Sequence, residues 1–119
     1  SVDSMKSAID LLAGMAGVRR VAVLGDMLEM GTQSPDYHRE IGAYLRGKGV
    51  DLLITVGRDS VCIAEGAAGD PNPPEMVHYE NTNQLIGNLK TRIVPGDVAL
   101  FKGSRGIGLD EAVRRLLED

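Results

Sequence analysis

The stretch "LFKGSRGIGLDEA", residues 100–112, decides how the whole chain is read. An apolar strand runs into Gly103-x-x-Gly106-x-Gly108 and then into a helix, which at a quick reading looks like the glycine-rich turn of a dinucleotide-binding fold. Such a turn belongs in the first strand–helix unit of its fold, with a second strand ending in an acidic residue about 20 positions on. Here only residues 109–119 follow Gly108, and "LDEAVRRLLED" is one amphipathic helix with no strand behind it. The nicotinamide reading fails on topology. The physics of the turn survives: glycines let a backbone approach a ligand closely, and free N–H groups at a helix start attract anions. Lys102 and Arg105 flank the turn, and a guanidinium grips a carboxylate or phosphate with two prongs. The plainer alternative is a tight strand-to-helix turn with solvated charges.

Working outward, the chain alternates. "SMKSAIDLLAGMAG" places Met5, Ala8, Ile9 and Leu12 at helical spacing, with Asp3 or Ser4 as its cap. "RRVAVLGD" and "DLLITVG" are short continuous apolar runs, as strands buried on both faces require. "SPDYHREIGAYLRGKG" reads as a helix capped by Ser34, with Pro35 at its first position. "RDSVCIAEGAAG" is a weaker helix, "MVHYE" a short strand, "NTNQLIGNLKTRI" a helix and "GDVALFKG" the fourth strand. The expected fold class is α/β: a doubly wound, mostly parallel sheet with helices on both faces. Ligands of such sheets bind beyond the carboxyl ends of the strands. Gly25-Asp26, Gly57-Arg58-Asp59, Glu80-Asn81-Thr82 and Lys102-Gly103-Ser104-Arg105 must therefore share one edge.

Composition narrows the class of function. A chain of 119 residues with 43% apolar content suits one domain with one core. A net charge of −4 and a pI near 5.1 leave no overall basic footprint for nucleic acid. The single cysteine, Cys62, excludes an internal disulfide framework and fits a reducing compartment. No apolar run approaches the ~18 residues of a membrane span, and the N-terminus lacks a signal-peptide layout. The expectation is a cytoplasmic domain cut from something longer.

Taken together, "DSMKSAIDLLAG", "RRVAVLGDMLEMG", "HREIG", "DLLITVG" and "GDVALFKGSRGIGLDEAV" resemble the C-terminal domain of the Mur ligase family, in its D-alanyl-D-alanine-adding branch. The resemblance runs from Asp3 to about Leu117, in matching order and spacing. "LGDMLEMG" and "KGSRGIGLD" are similar to that branch's segments "LGDMLELG" and "KGSRGMGLE". Where members carry "YNANPDSM", this chain has Ser1-Val2 in place of Asn-Pro and starts inside the motif.

The resemblance implies an ATP-dependent amide ligase of bacterial peptidoglycan precursor synthesis. ATP phosphorylates the terminal carboxylate of UDP-N-acetylmuramoyl-tripeptide with the help of magnesium. The amine of D-alanyl-D-alanine then attacks the acyl phosphate. ATP and magnesium would be held mainly by a central domain, and the UDP-sugar peptide by an N-terminal domain, both absent from residues 1–119. The single domain here would close over the nucleotide site and present the dipeptide, and alone would be inactive. By the same resemblance Lys102, Gly103, Ser104 and Arg105 would bind the dipeptide's carboxylate. Asp26 and Glu29 would line the closing face towards nucleotide and metal, with His38 at the cleft.

Plainer roles stand beside these. Asp26 reads equally as a turn or helix cap, Glu29 as a solvated loop charge, and His38 as a surface or capping residue. His78 reads as structural, Arg58 as an exposed charge, and Asp59-Ser60 as a helix cap without a base to activate the serine. Two histidines and one cysteine at no ligand spacing argue against a zinc site. The alternatives in other classes are a stand-alone nucleotide binder and a flavodoxin-like interaction module.

Overall fold

In the computed structural model, which describes residues 1–118, four parallel strands lie in the order β3-β2-β1-β4. They are β1 (Arg19–Gly25), β2 (Leu52–Val56), β3 (Glu75–Tyr79) and β4 (Asp97–Lys102). The helices are α1 (Val2–Ala13), α2 (Ser34–Tyr44), α3 (Val61–Ala67), α4 (Thr82–Arg92) and α5 (Leu109–Leu116). Two 3-10 turns, Gly31–Gln33 and Arg105–Ile107, precede α2 and α5. This is the expected doubly wound α/β arrangement.

The two central strands explain the apolar runs. Residues alternate across a strand, so Ala22 and Leu24 face α1, α2 and α3, joining Met5, Ile9, Leu12, Ile41, Leu53 and Ile63. Val21 and Val23 face the other way, where Ile54, Leu85, Leu89, Leu109 and Ala112 under α4 and α5 complete a second core. Both layers must be filled, so neither β1 nor β2 can afford the polar alternation of a half-solvated strand.

Helices α2 and α3 touch through their backbones. A Cβ added at Gly42 would stand 2.0 Å from the Ile63 carbonyl oxygen, and one at Gly66 would stand 2.2 Å from that of Arg39. At the opposite end of the sheet, Arg19 and Asp97 are register partners on β1 and β4. Their side chains form a two-pronged pair, Nε to Oδ1 at 3.0 Å and Nη2 to Oδ2 at 2.8 Å. Arg19 also donates to the Arg92 carbonyl at the end of α4, at 2.6 Å.

Helix starts differ locally from the sequence expectation. Ser1, not Asp3 or Ser4, caps α1, in a reciprocal pair with Ser4. Ser34 lies inside α2, because the Gly31–Gln33 turn carries the chain into the helix and Gln33 takes the cap position. Among the described residues no helix is long and apolar enough to cross a membrane.

Candidate functional site

The crossovers from β1 to β2 and from β2 to β3 lie on one face, and that from β3 to β4 on the other. The loops leaving β1 and β4 therefore part between neighbouring strands, at the point where open α/β sheets bind ligands. "GDMLEMG" and "KGSRGIG" are these two loops.

They are bonded to each other. Ser104 donates its backbone N–H to the Asp26 carbonyl at 2.9 Å, and its Oγ accepts from the Leu28 N–H at 2.8 Å. A hydroxyl that accepts in this way keeps its hydrogen free to donate. The start of α4 joins in through Thr82, whose hydroxyl donates to the Ile107 carbonyl at 2.5 Å.

Beside this junction an open concavity of about 570 Å³ is lined by Phe101, Lys102, Gly103, Ser104, Arg105 and the start of α5. Lys102 is half-buried and Arg105 exposed, and neither is ion-paired among the described residues. Asp110 and Glu111 occupy the first turn of α5 and oppose an anion there. The turn's own bonds, Ile107 to Ser104 and Gly108 to Arg105, leave the N–H groups of Arg105 and Gly106 outside its ladder. A second concavity, of about 370 Å³, lies on the other side of that turn and is lined by Gly106, Ile107, Arg58, Glu80 and Asn81.

Asp26 and His38, expected on the closing face, are buried, at 6% and 0% exposure, and Asp26 also lines the second concavity. The Asp26 carboxylate accepts from the backbone N–H of Asp59 at 3.1 Å, and from the N–H and hydroxyl of Ser60 at 2.7 and 2.5 Å. It caps the start of α3 from another loop, which is the capping alternative in a non-local form. Gly57 makes room for it, with φ +116 and the Asp26 carboxylate 2.6 Å from where a Cβ would stand. Only a residue without a side chain satisfies both conditions.

His38 accepts the Met27 N–H on Nε2 at 3.0 Å and faces the Ser34 carbonyl with Nδ1 at 2.7 Å. A carbonyl only accepts and an N–H only donates, so the ring carries its proton on Nδ1. Ser34 in turn donates its hydroxyl to Asp59 at 2.8 Å. Glu29 does reach the solvent at this edge, in left-handed backbone with φ 61.

The remaining residues take quiet roles. His78 Nδ1 lies 2.7 Å from the Thr55 hydroxyl, its register partner on β2. Arg58 is 95% exposed beside Asp59. Burial raises the pKa of the Cys62 thiol, which keeps it protonated and a poor nucleophile. Among the described residues no three His, Cys, Asp or Glu side chains converge as metal ligands do. Sequence reasoning missed Leu28, whose backbone holds Ser104, and placed Thr82 on the edge without the bond by which its hydroxyl secures the turn.

Comparison with known proteins gives the chain a family. The family model for the "Mur ligase, glutamate ligase domain" matches residues 1–105. The chain is 38% identical over 119 residues to the UDP-N-acetylmuramoyl-tripeptide–D-alanyl-D-alanine ligase of Bacillus subtilis (strain 168), covering 99% of this chain and 26% of that protein. It is also 38% identical over 120 residues to the protein of the same name from Synechocystis sp., with the same coverage. Two crystal structures of MurF from Acinetobacter baumannii superpose on the whole chain with TM-scores of 0.81 and 0.83 at 26% identity, each over 26% of its own length. The chain thus spans about a quarter of the length of the relatives it matches. It belongs to the Mur ligase family, through that family's glutamate ligase domain.

Proposed function

We propose that residues 1–119 form the C-terminal domain of an ATP-dependent ligase that joins D-alanyl-D-alanine to UDP-N-acetylmuramoyl-tripeptide. Its relatives bear that name. The observation that carries the reading is the junction of the two loops, with two cations over one concavity that form no ion pair among the described residues. The dipeptide is a small zwitterion. Its amine must stay free to attack, so its carboxylate is the natural handle.

In this reading Arg105 grips the carboxylate with its planar fork, and Lys102 adds a second charge. The free hydrogen of the Ser104 hydroxyl and the N–H groups of Arg105 and Gly106 complete the donors, with Gly103 keeping the backbone close. The amine then attacks the acyl phosphate made from the tripeptide, and phosphate leaves from the tetrahedral intermediate. ATP and magnesium are held by residues outside this chain, and Glu29 lies on the face that closes over them. Asp26 and His38 serve by holding the loops. The enzyme works in the bacterial cytoplasm, where its substrates are.

The test is phosphate release by the full-length enzyme. It should require both UDP-N-acetylmuramoyl-tripeptide and D-alanyl-D-alanine, and the 119-residue chain alone should release none. Turnover that is indifferent to the dipeptide would end this reading.

A further inference from the structure

The grip on Ser104 is only as firm as the backbone of residues 26–28, which touches it from both sides. That backbone has little packing of its own beyond Met27, since Leu28 is 44% exposed and Glu29 is exposed in left-handed backbone. What holds it is a closed circuit of hydrogen bonds. Met27 N–H donates to His38 Nε2, His38 Nδ1–H to the Ser34 carbonyl, and the Ser34 hydroxyl to the Asp59 carboxylate. The Asp59 N–H then donates to the carboxylate of Asp26, the residue before Met27. Asp26, Ser34 and His38 are all buried.

Burying an imidazole, here at 0% exposure, is costly unless both ring nitrogens find partners. Here both do, and one of them is the amide next to Leu28. We infer that His38 is a positioning residue for the Arg105 loop: it fixes the Met27–Leu28 backbone, which fixes Ser104, which aims Arg105. This rests on the reading that the Arg105 loop takes the dipeptide's carboxylate. A histidine that merely filled the core would show no such selectivity.

The test compares wild type with His38→Phe, which keeps a ring without an acceptor, and His38→Gln, which keeps an acceptor at similar reach. Amide exchange in the 119-residue chain reads the loop directly. His38→Phe should speed exchange at Leu28 and Ser104 about tenfold relative to Ile54 in β2, the size of one lost hydrogen bond. His38→Gln should recover most of it. In the full-length enzyme His38→Phe should raise the KM for D-alanyl-D-alanine about tenfold, with kcat and the KM for ATP within about twofold, and Gln should again rescue. Unchanged exchange at Leu28 and Ser104, or a rise in step with Ile54, overturns the inference. So does an unmoved dipeptide KM when Arg105→Ala does move it. If Arg105→Ala leaves that KM unmoved too while exchange responds, His38 stands as the residue that positions Ser104, and the proposed function is what fails.

Discussion

The hydroxyl oxygen of Ser104 accepts the backbone N–H of Leu28 at 2.8 Å, across 76 residues of sequence. This bond makes one site out of two loops. Ser104→Ala deletes it and leaves the Leu28 N–H to water, a loss of about 1 kcal/mol for a neutral hydrogen bond. In a domain of this size that lowers Tm by roughly 3–6 °C in calorimetry. Use of D-alanyl-D-alanine by the full-length enzyme should fall further, about tenfold, because the donor proposed for the substrate is lost as well. A variant with wild-type dipeptide kinetics would remove Ser104 from the site.

Gly42 and Gly66 set the spacing of α2 against α3. Gly42→Ala puts a methyl group 2.0 Å from the Ile63 carbonyl oxygen, which is backbone and has no rotamer to yield. The helices must separate, opening the layer that holds Ile41 and Ile63. Overpacking of this kind costs about 1–3 kcal/mol. Urea unfolding should show a lower midpoint with an unchanged slope, and a midpoint equal to wild type would mean the helices slide apart freely.

Much of this was legible in the sequence, and the failures share one cause. "RRVAVLGD" and "DLLITVG" read correctly as buried strands because both of their faces meet helices, leaving no room for polar alternation. The edge carrying Asp26, Arg58, Asn81 and Ser104 follows from parallel topology alone. His38 was not legible as a buried residue. Its helical position is ambiguous until the β1–α2 loop folds back to offer the Met27 N–H. The partners of Asp26 lie 33 and 34 residues away, so its part in capping α3 has no local signature. Ser34 looked like a cap because caps are local rules, and an unforeseen 3-10 turn displaced it by one position.

The Arg19–Asp97 pair sets the acid limit of the sheet. The two-pronged bond from Arg19, then the Val94 N–H, hold the Asp97 carboxyl below its usual pKa against the opposing effect of burial. The unfolded chain takes up this proton near pH 4, the folded chain only at lower pH. The stabilisation is therefore complete above about pH 4 and is lost as pH falls through the lower folded value. Arg19→Gln should reduce stability at neutral pH and flatten the acid limb of the urea midpoint below about pH 4. Asp10, which Tyr44 and Lys48 also hold low, titrates in both proteins and cancels in the comparison. Parallel acid limbs for the two proteins would refute the assignment.

Arg105 has no partner of its own fold among the described ion pairs, yet it stands at the mouth of the concavity beside Lys102 and Ser104. An exposed side chain without a structural bond should be removable without harm to folding, so Arg105→Ala should keep the wild-type Tm. Charged hydrogen bonds to a carboxylate contribute roughly 1.5–3 kcal/mol, and a tenfold effect is about 1.4 kcal/mol. In the full-length enzyme the substitution should therefore weaken use of D-alanyl-D-alanine by about 10- to 100-fold. The Michaelis constants for ATP and UDP-N-acetylmuramoyl-tripeptide should move much less. Arg105→Lys should recover only part of the loss, because an ammonium cannot make the planar two-pronged contact. If steady-state kinetics show the ATP constant rising while that for the dipeptide stays put, the turn serves the nucleotide, and the carboxylate must be held elsewhere along the edge.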